Sequence, residues 1–504
     1  MGNGRAANAF DVIVVGGGPA GSVMAWSLAN QGVRVAILER SIFPREKVCG
    51  DFVEPGGLRI LRAMGCLETL EEPTPIANAR VYFGPRLAFQ GPIPYYEATE
   101  ELPAHGYIVP RDILDTRLQE RARAAGAVVY EGCEAKGIRR EAGAIEIAAR
   151  QGGRDIALTA PLVVGADGAE SLVARSFSLR RTDRRHIGIS QRAYVEGIEI
   201  DPGEATIWFD EDLYPGYGWM FPMSGGRANV GVGMLSETCH RQGLSAPKAF
   251  AACIEKLRLR HPGCANVHVA SRPLGGVVKM YGGAGPNHFD GGLLVGDAGS
   301  FVDPMTGEGI TQGMESSLIA SRTILGALEV GRFDTAFLAR YERDFRSYFD
   351  PAMLFLDLCA AMMRNWHFRE FWLRATARGF DEASSDPAFA RVSGAAFGGL
   401  NVRPLAIVEQ VWSRILGHVG AGGARAVTDL LSGRGSGGGL GGDLAAWRRG
   451  WDRSIAEDPA WHFAWLGDVL VKSAKLQMTL WNPAAPRVRG PLVTTPATPL
   501  VREG

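Results

Sequence analysis

The 504-residue chain has no surplus of either charge: 54 Lys and Arg stand against 54 Asp and Glu, for a formal net charge of zero. A broad electrostatic field that would hold nucleic acid as the main partner is therefore excluded. Cysteine is sparse. The seven residues, Cys49, Cys66, Cys133, Cys239, Cys253, Cys264 and Cys359, form no C-x-x-C pair and no His/Cys cluster of ligand spacing. An odd number of scattered thiols argues against a disulfide framework or a metal site and for a reducing, cytoplasmic setting. No stretch offers the ~18 uninterrupted apolar residues of a membrane span. The N-terminal MGNGRAANAF has no apolar core of signal-peptide length, which leaves peripheral contact as the membrane option.

Glycine, by contrast, is abundant: 66 of 504 residues is about 13%, against a usual ~7%. Much of it is placed with purpose. Asp11 to Arg40, DVIVVGGGPAGSVMAWSLANQGVRVAILER, reads as strand, turn, helix and strand. Gly16, Gly18 and Gly21 have G-x-G-x-x-G spacing: Gly16 for the tight bend, Gly18 for close approach of a pyrophosphate, Gly21 for helix-on-strand packing. The helix N-terminus offers free N–H groups to phosphates. Glu39, at the end of the second strand, is placed to accept hydrogen bonds from ribose hydroxyls and disfavours a 2′-phosphate. The pattern predicts a bound adenine dinucleotide.

Two further segments share the design. Leu293 to Gly313, LLVGDAGSFVDPMTGEGITQG, is an apolar strand, a Gly296-Asp297 turn, a loop through Pro304, Gly307 and Gly309, and then a helix. An acid after a buried strand can bond a ribityl or ribose hydroxyl, and a glycine-rich helix start can present N–H groups to an electron-rich ring edge. Leu162 to Arg175, LVVGADGAESLVAR, repeats strand, Asp167-Gly168 turn and helix start. Arg111, in VPRDILDTRL, opens a helix of its own.

Together these segments resemble the FAD-dependent oxidoreductases built like the aromatic hydroxylases, and within them the geranylgeranyl reductase family. The resemblance covers about residues 9 to 350 and implies non-covalent FAD. It also implies a cofactor site of Gly16, Gly18, Pro19, Ala20, Gly21, Glu39, Arg40, Cys49, Gly50, Arg111, Asp167, Gly168, Gly296, Asp297, Pro304, Gly307, Gly309 and Ile310.

Two stretches bear on catalysis. In Phe43 to Pro55, FPREKVCGDFVEP, Cys49 is by type a small buried hydrophobe, yet Lys47 and Arg45 nearby could lower its pKa and make it reactive. The stretch resembles the K-V-C-G-D segment of the reductases, which implies a cysteine facing the flavin. In Tyr214 to Pro222, YPGYGWMFP, Tyr217, Trp219 and Phe221 alternate and share one sheet face, as core or as pocket wall. The segment resembles the reductases' Y-x-W-x-F-P motif, which implies that Tyr217 and Trp219 line the substrate cavity. Cys49, Tyr217 and Trp219 are thus the expected catalytic residues.

The expected fold is α/β: a Rossmann-like FAD-binding domain, an interleaved antiparallel-sheet substrate domain and a mostly helical C-terminal region. The FAD domain is assigned to residues 9–78, 105–185 and 273–350, with a glycine-rich loop over Gly275 to Asp290. The substrate domain takes 186–272 with an excursion at 79–104, where Tyr95 and Tyr96 are pocket candidates. Helices are expected over Leu58 to Leu70, Asp112 to Ala125, Ala249 to Leu257 and Thr311 to Glu329, and a helix or pair of helices over Asp334 to Asn365. Within 351–481, residues 420–443 form a glycine-rich linker, and Trp447, Trp451, Trp461, Phe463 and Trp465 sit on short helical segments. The proline-rich tail is 482–504.

A single dinucleotide fingerprint leaves no dedicated NAD(P)H domain, so electrons come from transient NAD(P)H or from a reductase or ferredoxin. The leading expectation is reduction of C=C bonds in an apolar isoprenoid or natural product, with Cys49 or a neighbour assisting protonation. Oxygenation by a hydroxylase or epoxidase is the alternative. Halogenation is weaker, because the halogenases' W-x-W-x-I-P motif is replaced by Tyr217 to Pro222. An electron-transfer flavoprotein also stands, without the cysteine set that an iron–sulfur cluster needs.

Overall fold

A computed structural model describes residues 8–71, 73–92, 103–141, 143–179, 183–200, 202–282, 285–387, 389 and 439–481. Tyr95, Tyr96, most of the glycine-rich stretch (420–438) and the tail from Asn482 lie outside the described residues.

The six-stranded sheet that carries the glycine turn runs in the order His288–Phe289, Gly292–Leu294, Leu162–Gly165, Val12–Val15, Val35–Leu38, Val128–Tyr130. All neighbours are parallel except the first pair. Its central strands are continuous apolar runs because both faces are covered. Val12, Val14, Val35, Ile37, Leu162 and Val164 meet the helices Pro19–Ala29 and Ile310–Val330. Ile13, Val15, Ala36, Leu38 and Val163 instead meet Ile145, Ile147 and Leu158. Those three belong to an antiparallel meander of Cys133–Glu141, Ala144–Gln151 and Arg154–Ala160.

The second large sheet is almost wholly antiparallel. Ile187–Glu196 pairs with Arg227–Leu235, which pairs with Tyr217–Met223, then Glu204–Phe209. Asn78–Phe83 joins in parallel and Arg86–Pro92 closes the edge. The helix Ala246–Arg260 covers the back, burying Phe250, Ile254 and Leu257 against Met220, Val230 and Val232.

The predicted glycine-rich loop over Gly275 to Asp290 is corrected in its first half: Leu274–Lys279 is a strand paired with Ile187–Arg192. Gly276 is there for close approach, since a Cβ on it would lie 2.9 Å from Val48. The predicted helix Leu58 to Leu70 is also corrected. It runs over Pro55–Ala63 and breaks at Gly65, whose φ of 66° no helix accommodates.

Of the helix or pair of helices expected over Asp334 to Asn365, the structure shows one, Thr335–Met363, capped by Asp334, whose Oδ1 accepts from Phe337 N at 3.0 Å. The tryptophans sit on two long helices, Gly439–Glu457 and Pro459–Leu480, so regular structure starts inside the stretch expected to be linker. Their aromatic area is buried in part on the body, with Trp461 buried and Trp447 and Phe463 exposed. Trp461 stacks on Trp366 at 4.7 Å between ring centroids, and Trp465 on Phe368 at 5.2 Å with its Nε1 donating to Ala361 O. No described helix is long and apolar enough to cross a membrane.

Candidate active site

A cleft of about 680 Å³ runs from the glycine turn to the aromatic face of the second sheet, within the roughly 300–1,000 Å³ of small-molecule sites. Every predicted site residue lines it except Gly21.

Gly21 acts from beneath. A Cβ there would stand 1.9 Å from Gly16 O, and one on Gly16 would stand 2.3 Å from Ala166 O. Both glycines are needed to bring turn, helix and the Leu162–Gly165 strand together. Gly18 is different: a Cβ on it would meet only Arg45 at 3.6 Å, so its backbone is open toward the cleft. Pro19 starts the helix behind it, where a missing N–H costs nothing.

Glu39 is buried, and its carboxylate accepts from Gly17 N at 2.7 Å and Ser41 N at 2.8 Å. It therefore ties the turn to the second strand while facing the cleft. Arg40, Ser41, Glu134, Ala135 and Lys136 continue this end of the wall. Asp167 uses Oδ2 to cap the short helix Leu172–Ser176, accepting from Leu172 N at 2.6 Å, and leaves Oδ1 buried without a hydrogen-bond partner.

Arg111 is held by Asp115, a fully buried carboxylate one helical turn on that accepts from Nε at 2.8 Å and Nη2 at 2.9 Å. The same carboxylate takes Arg45 at 3.1 Å, leaving Arg45 Nη1 buried and unsatisfied. Sequence reasoning did not single out Asp115, although its i, i+4 spacing from Arg111 was visible. It also missed Lys47 as a cleft residue. Burial pushes the Lys47 pKa down, and Asp297 pulls it back up. Burial in turn raises Asp297, against Lys47, Arg111 and Lys279.

Cys49 requires a correction. Burial pushes its thiol pKa up, and the cation that works against this is Arg111 rather than Lys47 or Arg45. The thiol is thus protonated at neutral pH, a hydrogen-bond and proton donor rather than a thiolate nucleophile.

The cysteine loop is fastened to the aromatic strand by a network absent from the sequence reading. Asn229 donates from Nδ2 to Cys49 O at 2.9 Å and to Asp51 Oδ2 at 2.8 Å, while its Oδ1 accepts from Trp219 Nε1 at 3.0 Å. Tyr194 donates to the same Asp51 oxygen at 2.6 Å. Asp51 is fully buried at φ 63°, a conformation open to few residues besides glycine, and burial lifts its pKa to about 6. The residues were in view, but their meeting depends on pairing between distant strands.

The wall itself is made by Tyr217, Trp219 and Phe221 on one face, with successive ring centroids at 6.0 and 6.3 Å. Gly231, on the neighbouring strand, makes room for Trp219: a Cβ there would fall 2.2 Å from the indole. Tyr217 donates its hydroxyl to Thr306 O, joining wall to glycine loop. Ala360 and Met363, at the end of the long C-terminal helix, close the apolar end.

The donor set fits a flavin dinucleotide. An open glycine turn with an unsatisfied Arg45 nitrogen suits the pyrophosphate, the Glu39 end suits a ribose, and the Gly307–Gly309 helix start suits a ring edge.

Residues 9–352 match the model of a family described as FAD binding domain. The chain is 31% identical over 356 residues to the menaquinone reductase of Mycobacterium tuberculosis, covering 66% of this chain and 81% of that one. It is 32% identical over 347 residues to digeranylgeranylglycerophospholipid reductase 2 of Methanothermobacter thermautotrophicus, covering 67% and 83%. A solved geranylgeranyl bacteriochlorophyll reductase-like protein from Thermoplasma acidophilum superposes with a TM-score of 0.65 at 23% identity, over 81% of this chain and 99% of that one. The flavin-dependent brominase Bmp2 does so at 0.64 and 18%, over 81% and 99%, which shows a shared fold.

Proposed function

Because this chain belongs to the FAD-binding-domain family, among the geranylgeranyl-type reductases, we propose that it reduces C=C bonds of an apolar isoprenoid lipid. It is an FAD-dependent oxidoreductase. The observation that carries the proposal is one continuous cleft joining the dinucleotide turn to an apolar wall of Tyr217, Trp219 and Phe221.

Bound FAD supplies the hydride equivalent once it has been reduced by an external donor. The protein does the rest. The Gly16–Gly21 turn with Arg45 would hold the pyrophosphate, Glu39 a ribose, and Asp297 with Lys47 the polar side of the ring end. Pro304, Gly307, Gly309 and Ile310 shape its bed. Trp219, fixed by Asn229, sets the height of the substrate above it, and the apolar wall excludes water. Cys49, protonated beside Arg111, borders the place where the alkene lies.

Two measurements test this. Glu39→Ala and Asp297→Ala should each purify with reduced flavin content, and full content in both would displace the cofactor site. Wild-type holoenzyme, given a chemical reductant and either menaquinone or digeranylgeranylglycerophospholipid, should yield product heavier by one hydrogen molecule per bond reduced. Unchanged lipid in both cases contradicts the substrate class.

A further inference from the structure

Adding hydride to an isolated alkene also needs a proton on the neighbouring carbon, and the cleft offers two groups near its apolar end that could carry one. Cys49 faces a cation, Arg111, and the acid beside it, Asp51, is tied up by Tyr194 and Asn229. The Glu308 carboxyl, on the loop between Gly307 and Gly309, lies in different company.

That loop is built rigidly. Asp303 Oδ1 accepts from Met305 N at 2.7 Å and Thr306 N at 2.9 Å, and Asp303 N donates to Glu308 O at 2.8 Å. Tyr217 pins it to the aromatic wall through Thr306 O. Glu308 consequently lines the cleft beside Tyr217 and Met305, whereas Glu54 and Asp303 behind it are 1% and 2% exposed.

The Glu308 carboxyl faces that of Glu54, and its Oε2 is buried with no hydrogen-bond partner. Glu54 itself accepts only long contacts, 3.3 Å, from Gln312 Nε2. The titratable groups that face Glu308 are Glu54 from the loop before the helix Pro55–Ala63, Asp303 from its own loop and Tyr217 from the aromatic strand. None is a cation. Burial and these acids push the Glu308 pKa well above the ordinary carboxyl value. By contrast Asp297, the other acid of this end, faces Lys47, Arg111 and Lys279.

We propose that Glu308 is the acid that delivers the proton to the substrate alkene, with the buried Glu54 carboxyl beside it disfavouring its ionised form. This rests on the reductase reading above. In the step, the alkene π pair forms a C–H bond to the Glu308 proton and the O–H bond breaks. The adjacent carbon takes the hydride that arrives from reduced FAD. The Glu308 carboxylate, which lines the cleft, then recovers a proton from water that enters when product leaves. The two electrons come from the reduced cofactor and both hydrogens are accounted for.

The test compares wild type, Glu308→Gln and Cys49→Ala as holoenzymes. Infrared spectra of the substrate-free proteins at pH 7 should show an un-ionised carboxyl band that Glu308→Gln removes and Cys49→Ala keeps. Pre-reduced enzyme mixed anaerobically with digeranylgeranylglycerophospholipid should reoxidise about 10²-fold or more slowly in Glu308→Gln, with normal flavin content. Wild type should lose rate as pH rises, a limb that Cys49→Ala retains and Glu308→Gln does not. A carboxyl band indifferent to Glu308→Gln, or undiminished reoxidation with the same pH profile, overturns the proposal. A wild type that no isoprenoid lipid reoxidises overturns the reductase reading and this one with it.

Discussion

Cys49 shows how a residue can be legible in type and wrong in charge. Its neighbours along the chain, Lys47 and Arg45, pointed to a thiolate, but the fold turns those cations to Asp297 and Asp115 and buries the sulfur beside Arg111. Burial outweighs one guanidinium, so the thiol stays neutral. Cys49→Ala should keep flavin and lower turnover without shifting the pH profile; a lost pH limb would return the proton to Cys49. Asp51 yields a prediction of a different kind. Its pKa rises from an ordinary 3.8 to about 6 in the folded protein, so the native state binds this proton more tightly than the unfolded chain does. Its contribution to stability is full below pH 4 and lost as pH rises through about 6, on the order of 3 kcal/mol at most. Thermal melts of wild type should fall over that window, and Asp51→Asn should flatten the fall. An unchanged slope in the variant would mean that Asp51 is ionised throughout.

The elements divide by what determines them. The glycine-turn unit was readable to the residue because its pattern is local, Gly21 meeting Gly16 O five residues back, although Gly16 itself makes room for the distant Ala166 O, and at neither position would a side chain fit. The aromatic strand was readable as a face, since alternation is local too, but not as a site. That Trp219 is locked by Asn229 and roofed by Gly231 depends on strand pairing across loops. Gly231→Ala, which puts a methyl where the indole lies, should displace Trp219 and cut turnover at least tenfold while flavin stays bound. Tryptophan fluorescence and flavin absorbance on the same sample check both halves, and unaltered turnover would mean that the wall height does not matter. Leu274–Lys279 was misread as loop because Gly276 serves close approach to Val48 rather than looseness. The C-terminal tryptophan helices were under-read in length because glycines mark the start of one, Gly439–Glu457, and a proline that of the other, Pro459–Leu480.

At the scale of the whole molecule, the cleft is where two sheets of opposite habit meet. The parallel sheet brings phosphate-binding turns to one edge, as open α/β sheets do, and the antiparallel sheet brings a flat apolar face. The Cys49 loop and the Pro304–Gly309 loop stitch them together through Asn229 and Tyr217. On the proposed reading, the electrons of the reduced cofactor go to a carbon of the lipid rather than to oxygen. The most direct test is to reduce the holoenzyme with dithionite under nitrogen and mix it with digeranylgeranylglycerophospholipid or menaquinone in a stopped flow. The oxidised flavin spectrum should return without oxygen, together with a saturated product. A flavin that stays reduced until air is admitted, and then gives a hydroxylated or epoxidised lipid, would contradict the account.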